Sequence, residues 1–145
     1  MLKIREATLA DVRAIAALMC SLGYETAEDE MRVRLQTISA HGDYVSLVAT
    51  NNDNVVGFLG LAFGLSYERT GGYARIVALS VASHAQGSGV GRALVTAAED
   101  LAKSKNALVC VVNCGVHRVA AHKFYENLGF SPRGKAFYKS LTGVE

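Results

Sequence analysis

The chain has 145 residues, half of them apolar, and a net charge of +2. This length suits one compact domain with a real core, so we expect residues 1–145 to form a single domain. No apolar run approaches the roughly 18 residues needed to cross a bilayer. The stretch Met1–Glu6 reaches charge too early for a signal peptide, and the scattered basic residues form no duplex-DNA footprint. These features predict a cytoplasmic protein with no membrane or nucleic-acid partner.

Three cysteines are present, Cys20, Cys110 and Cys114, and no two of them form a CxxC pair. An odd number cannot pair completely, so we expect all three to be reduced and none to hold a metal ion.

The first third of the chain predicts a strand and two helices. The strand is Leu2–Glu6. Thr8 and Asp11 form a capping-box pattern that opens a helix ending at Gly23, and Thr26 with Asp29 repeats the pattern for a second helix.

The middle of the chain predicts β structure. Tyr44–Thr50 and Val55–Tyr67 form a hairpin whose turn, residues 51–54, contains residues that tolerate positive φ. The pair Gly71–Gly72 breaks the chain, and the strand Tyr73–Val81 follows.

The last third predicts α/β structure. Arg92–Lys105 is an amphipathic helix, and the apolar run Ala107–Asn113 is typical of a strand covered on both faces. A strand, a helix and a strand in succession indicate a parallel crossover. A helix from about His117 to Leu128 ends at a Gly129 cap, and two short strands follow, at residues 130–131 and 135–141. The prediction is a mixed α/β (α+β) fold, with a mostly antiparallel sheet of about six to seven strands, a central parallel pair and about four helices.

The loop Gln86–Gly91 joins the strand that ends near Val81 to a helix that begins near Gly89 or Val90. A helix start offers unpaired N–H groups and a positive dipole end. Glycines at 87, 89 and 91 let a phosphate approach the backbone, and Arg92 adds a charge. These features predict a pyrophosphate site.

The glycine spacing fits neither common nucleotide motif. It is not the G-x-G-x-x-G of dinucleotide folds, and Gly91-Arg92-Ala93 lacks the Lys-Ser/Thr of a P-loop. A glycine-rich turn without a ligand is the alternative.

Two segments carry a family resemblance. Gln86-x-x-Gly89-x-Gly91 resembles the Q/R-x-x-G-x-G/A signature of the GNAT N-acetyltransferase superfamily, and residues 76–81 resemble the core strand of that family. Residues 121–130 are similar to its A-x-x-F-Y-x-x-x-G-F segment. The matching pieces stand in the right order and cover roughly residues 44–141.

The resemblance implies acetyl-coenzyme A as cosubstrate and no metal. In the family the parallel strands splay apart and the pantetheine arm lies between them. Backbone groups of Leu79 and Val81 would bind the pantetheine, and Asn113 would contact it from the other side. The alternative for Asn113 is a residue that ends the strand and turns the chain toward Gly115. The cofactor-binding residues implied are Leu79, Val81, Gln86, Gly87, Ser88, Gly89, Val90, Gly91, Arg92 and Asn113.

Tyr125 is the expected general acid. A phenol can donate a proton to the departing thiolate of coenzyme A. The alternative is a tyrosine that only fills the core.

The general base stays open. Many relatives place a glutamate on the core strand, but residues 77–79 of this chain contain no carboxylate. Glu68, Tyr67, Tyr73, His117 or ordered water could serve. His122, three residues before Tyr125, reads more simply as an exposed helical histidine.

The acceptor is expected to be a primary amine of a small molecule. Acidic residues near the second helix could attract it, although such a cluster is also typical of a solvated helix start. The segment 137–141 resembles relatives that act on small amines, including aminoalkylphosphonate and aminoglycoside acetyltransferases. Protein lysine or N-terminal acetylation and a non-catalytic coenzyme A sensor are the alternatives, and family members are often homodimers. The substrate residues expected are Tyr24, Glu25, Tyr67, Glu68 and Tyr73.

Overall fold

A computed structural model describes residues 1–143, which fall into two compact units, one spanning Met1–Val112 and the other beginning at Asn113. The expectation of a single domain stays a prediction.

The first unit contains five strands and three α-helices, and the described residues of the second contain one α-helix. The strands are β1 (Leu2–Glu6), β2 (Tyr44–Asn51), β3 (Asn54–Leu65), β4 (Gly72–Val81) and β5 (Ala107–Val112), and the helices are α1 (Val12–Ser21), α2 (Glu28–Ser39), α3 (Val90–Ser104) and α4 (Val119–Asn127). The predicted mixed fold with four α-helices is confirmed.

The strands form one sheet in the order β1-β2-β3-β4-β5. The first three pairings are antiparallel, and β4 pairs with β5 in parallel, which confirms the crossover through α3. Two details differ from the prediction. The parallel pair lies at one end of the described sheet rather than at its centre, and within residues 1–143 the segments 130–131 and 135–141 form no strand, so five strands are present instead of six or seven.

The β4–β5 ladder is shorter than β4. It runs from Gly72 opposite Ala107 to Ile76 opposite Val112. Beyond Ile76, β4 continues to Val81 with β3 as its partner, and Val77 is an extra residue in that pairing. Such a bulge bends a strand and increases its local twist. The far half of β4 therefore carries no strand partner on its β5 side within the described chain.

The sheet is covered by helices on both faces. Phe58 packs in the core with α1 and α2, whereas the backbone of Gly57, one residue earlier, lies against α3. Alternate residues of a strand point to opposite faces, so β3 is sandwiched between helices. The buried core residues of α3 are Val90, Leu94, Val95, Ala98 and Ala102.

The first helix cap is confirmed and the second prediction is wrong. The Thr8 amide donates to Asp11 Oδ2 at 2.8 Å, before the short 3-10 turn that leads into α1. In α2 the cap residue is Ala27, whose amide donates to Glu30 Oε1 at 2.9 Å. The Thr26 hydroxyl is already used, because it donates to the Tyr24 carbonyl at 2.8 Å.

The expectation that β5 is covered on both faces is also wrong. Leu108 and Val109 remain 55% and 49% exposed. An end strand has a neighbour on one side only, so its apolar run does not guarantee burial.

Candidate active site

The glycine loop begins with a short 3-10 turn, Ser83–Ala85, and ends where α3 starts at Val90. Gly87 and Gly89 have φ angles of +80° and +87°. This left-handed region is costly for residues with a Cβ. A Cβ built on either glycine would meet nothing within 4 Å. The space beside both residues is therefore open.

The amides from Gly87 to Arg92 lack a hydrogen-bond acceptor within the described part of the chain. Within residues 1–143, no backbone carbonyl accepts a hydrogen bond from any amide between Gly87 and Arg92, and the first such bond of the helix runs from the Ala93 amide to Gly89 at 3.0 Å. Unpaired amides at a helix start form an anion-binding site. Arg92 is exposed on the first turn of the same helix.

Side chains fix the loop to the end of β4. Gln86 Nε2 donates to the Val81 carbonyl at 3.2 Å, and the Ser88 hydroxyl donates to the Ala85 carbonyl. The Ala82 amide donates to Val56 on β3 at 2.8 Å. Within the described chain, the side chains of Gln86 and Ser88 therefore stabilise the loop.

Two positioning residues escaped the sequence analysis. A Cβ on Gly57 would lie 2.8 Å from Val90 Cγ1 and 3.0 Å from Leu94 Cδ1, so this glycine lets the start of α3 approach the sheet. The buried Ser80 hydroxyl donates to the Leu18 carbonyl at 2.9 Å and ties β4 to α1. The sequence feature that could have indicated this role of Ser80 is a single hydroxyl residue in the apolar run of residues 76–81.

The proposed pantetheine residues of β4 lie where the ladder with β5 has ended. Leu79 and Val81 are half-buried and pair with Leu59 and Gly57 of β3. Their other edge has no strand neighbour in the described chain. An extended ligand could therefore add along this edge.

The second unit holds Tyr125 through a helix-ending motif. The Phe130 amide donates to the Tyr125 carbonyl and the Gly129 amide donates to Glu126, both at 3.0 Å, with Gly129 at φ +95°. This is a Schellman arrangement, which includes an apolar contact across the helix end. The Tyr125 ring packs edge-on against Phe130 at 5.6 Å and against Phe124 at 5.1 Å. The motif fixes the position of a half-buried phenol.

The sequence profile of the Acetyltransferase (GNAT) family matches residues 11–130, which is most of the chain and includes the glycine loop and the Tyr125 segment. The chain belongs to the GNAT acetyltransferase family. It is therefore an acyltransferase.

Proteins similar to this chain include two acetyltransferases and a transcriptional regulator. The chain is 26% identical over 144 residues to an aminoalkylphosphonate N-acetyltransferase of Salmonella typhimurium, covering 96% of this chain and 91% of the relative. A GNAT family acetyltransferase structure from Staphylococcus aureus matches with a TM-score of 0.84 and 25% identity, over 97% and 98% of the two chains. A transcriptional regulator structure from Bacillus halodurans C-125 matches with a TM-score of 0.87 and 25% identity, over 97% and 100%.

The remaining candidates in this GNAT chain are distributed over both units. In the second unit Asn113 is exposed and precedes α4, and His122 Nε2 lies 2.7 Å from the Gly115 carbonyl. His122 is therefore a loop-fixing residue as well as a helical one. A Cβ on Gly115 would lie 2.9 Å from the His117 ring.

The expected substrate residues of the first unit do not form one cluster through any described contact. Tyr24 and Glu25 are exposed in the loop between α1 and α2, and Tyr67 and Glu68 are exposed in the turn after β3. Tyr73 differs, because its ring lies over Gly64 and under the guanidinium of Arg75. Among these five residues, the structure of residues 1–143 gives a ring or cation contact of the side chain for Tyr73.

Cys110 is a poor nucleophile at neutral pH. Burial, with a smaller effect of the Glu99 charge, raises the pKa of the Cys110 thiol to about 11, so this thiol stays protonated at neutral pH. All three cysteines are unpaired. Residues 1–143 contain no group of three or more potential metal ligands and no helix long and apolar enough to span a bilayer.

Proposed function

We propose that this GNAT acyltransferase moves the acetyl group of acetyl-coenzyme A to a primary amine of a small molecule. The observation that carries the proposal is the row of amides from Gly87 to Arg92, which have no hydrogen-bond acceptor among residues 1–143, beside two glycines whose Cβ positions are open. Several N–H donors at the positive end of a helix suit a diphosphate.

The cosubstrate would lie against two parts of the first unit. The loop amides would hold the pyrophosphate, with Arg92 adding a charged contact. The pantetheine would add along the free edge of β4 at Leu79 and Val81, as an extra strand does. The Val81 carbonyl already accepts from Gln86, but a carbonyl oxygen has a second lone pair for the ligand. The family pattern adds Asn113 from the second unit.

The transfer would proceed directly between the two substrates. The lone pair of the amine attacks the thioester carbonyl, the C–N bond forms and the C–S bond breaks. Tyr125 would donate its phenolic proton to the departing sulfur, the new amide nitrogen would release its extra proton to solvent, and Tyr125 would regain a proton from solvent. Such general acid assistance is typically worth ~10²–10⁴ in rate. The high pKa of Cys110 supports direct transfer, since this thiol would be a poor intermediate acetyl carrier.

The amine must also lose a proton before it attacks. An ammonium with a pKa near 10.4 costs about 4.6 kcal/mol to deprotonate at pH 7. The core strand offers no carboxylate at residues 77–79, so we assign this step to ordered water or to a Tyr67, Glu68, Tyr73 or His117 side chain. The cytoplasmic setting and a homodimer stay predictions.

A thiol-release assay with an amine panel tests the proposal. We expect acetyl-coenzyme A-dependent release with small amines, such as polyamines, amino sugars or aminophosphonates, and little with lysine-containing peptides. Preference for peptides would support the protein-acetylating alternative. Tight coenzyme A binding with no thiol release in the presence of any amine would support the non-catalytic sensor. The observation that favours the sensor is the absence of a carboxylate at residues 77–79 of the core strand.

A further inference from the structure

The bulge at Val77 places the side chain of Ser80 on the α1 side of the sheet. Directly paired residues of neighbouring strands share a face. Ile76 pairs with Leu61, and Ser80 pairs with Phe58. Leu61 and Phe58 are three residues apart and point to opposite faces, so Ile76 and Ser80 do too, although they are four residues apart. The extra residue Val77 therefore turns Ser80 from the α3 side to the α1 side.

The Ser80 hydroxyl is buried on that side and has a defined partner. Ser80 is 5% exposed, and its Oγ donates to the Leu18 carbonyl of α1 at 2.9 Å. Its neighbours on the same face, Ala78 and Ala82, pack against the core cluster with methyl groups. A third alanine would serve packing alone, whereas a buried hydroxyl requires an acceptor. Ser80 therefore specifies one position of β4 against α1.

The Leu18 carbonyl belongs to the last turn of α1. It also accepts a hydrogen bond from the Leu22 amide at 3.2 Å. The helix then ends in a Schellman arrangement in which Gly23 has a φ angle of +100°. The acceptor of the Ser80 hydroxyl is therefore part of the turn that leads into the α1–α2 loop, residues 22–27.

The α1–α2 loop is held at its far end as well. The Thr26 hydroxyl donates to the Tyr24 carbonyl at 2.8 Å, and Arg34 Nη1 of α2 donates to Thr26 Oγ1 at 3.3 Å. Two of the expected substrate residues, Tyr24 and Glu25, lie in this loop. Their position therefore depends on where the end of α1 lies.

Ser80 also lies between the two residues of β4 that are assigned to the pantetheine. The backbone edge of Leu79 and Val81 toward β5 has no strand partner in residues 1–143. A ligand that adds along this edge as an extra strand would restrict the position of this half of β4. Because Ser80 belongs to the same segment, the restriction would reach the Leu18 carbonyl through one hydrogen bond.

We propose that Ser80 is a positioning residue that couples the coenzyme A edge of β4 to the α1–α2 loop. The inference rests on the acetyl transfer proposed above and adds a link between its two substrate regions. Coenzyme A along β4 stabilises the Ser80–Leu18 hydrogen bond, and with it the loop that carries Tyr24 and Glu25. Coupling of this kind is reciprocal, so an amine at the loop binds more tightly beside coenzyme A.

Amide hydrogen exchange, with coenzyme A as the only ligand, tests the coupling. The measured amides are those of Leu22, Gly23 and Tyr24, whose hydrogen bonds form the end of α1. Coupling between sites is typically ~5- to 150-fold, so saturating coenzyme A should slow their exchange at least about fivefold in wild type. The amides of Ala40 and His41, at the end of α2, are internal controls and should not change.

Three variants separate coupling from stability. Ser80→Ala removes the hydroxyl and should abolish the slower exchange, although coenzyme A still binds. Ser80→Thr keeps a hydroxyl and suits a strand, so it should restore the effect. Asp11→Asn breaks a different hydrogen-bonded pair, at the start of α1, and should retain the effect despite its lower stability.

The outcomes also distinguish this inference from the function it rests on. Calorimetric binding of coenzyme A without slower exchange at the three amides would overturn the coupling while cosubstrate binding stands. Slowing that survives in Ser80→Ala, or that is lost equally in Asp11→Asn, would also overturn it. Slowing that depends on Ser80, without thiol release from any amine, would reject acetyl transfer while the coupling stands. A wild-type protein that binds no coenzyme A would reject both.

Discussion

At the residue scale, Tyr125 is the side chain whose chemistry matters most to the proposed reaction. Tyr125→Phe keeps the ring contacts with Phe124 and Phe130 and removes only the hydroxyl. We predict a fall in kcat of about 100-fold or more, with unchanged coenzyme A affinity. Tyr138→Phe, on an exposed tyrosine of the same unit, is the control. Wild-type turnover under rate-limiting chemistry would remove Tyr125 from the acid role.

The ion pair between Arg5 and Asp11 makes the stability of the protein depend on pH in the acid range. Arg5 donates to both carboxylate oxygens of the buried Asp11, at 2.7 and 2.9 Å. These hydrogen bonds, with the Thr8 amide, hold the pKa of Asp11 below its usual value, against the opposing effect of burial. The stabilisation is therefore present above about pH 4 and is lost as pH falls through the lowered pKa.

Asp11→Asn should lower the free energy of unfolding by about 1–2 kcal/mol at neutral pH. This figure is smaller than for a fully buried ion pair, because solvent screens the half-exposed Arg5. The gap from wild type should narrow below about pH 4. Denaturant unfolding at several pH values measures it, with exposed Asp100→Asn as control. A constant gap from pH 7 to pH 3 would contradict this account.

At the element scale, the seating of α3 on β3 decides where the glycine loop lies. Gly57→Ala would place a methyl 2.8 Å from Val90 Cγ1, and a β-branched side chain cannot swing away easily. We predict a loss of about 1–3 kcal/mol in unfolding free energy, typical of overpacking, and weaker coenzyme A binding because the helix start shifts.

Gly42→Ala is the matched control, since a Cβ there meets nothing within 4 Å. Thermal unfolding and coenzyme A titration of both variants give the comparison. If Gly57→Ala matched Gly42→Ala in both measurements, the helix start would not depend on this contact.

At the scale of the whole molecule, local patterns predicted most of the architecture. The hairpin turn follows from Asn52 and Asp53, which take positive φ as expected, and the start of α3 follows from the glycines before it. These features depend on neighbours in sequence, so the sequence reveals them.

Features that depend on distant neighbours were missed. The N-cap of α2 is one residue later than predicted, because the Thr26 hydroxyl donates to the Tyr24 carbonyl instead. The exposure of Leu108 depends on which elements pack against β5. The closeness of Gly57 to α3 depends on strand register, which no local pattern fixes.

Coenzyme A titration of a Gly89 variant tests the central claim most directly. Gly89→Leu and Gly23→Leu both force a side chain into the left-handed region, at φ +87° and +100°, with open space around each Cβ. They should lose similar stability. Only Gly89→Leu should lose coenzyme A binding in calorimetry, by at least tenfold, because its side chain enters the space assigned to the diphosphate. Wild-type affinity in folded Gly89→Leu would contradict the account.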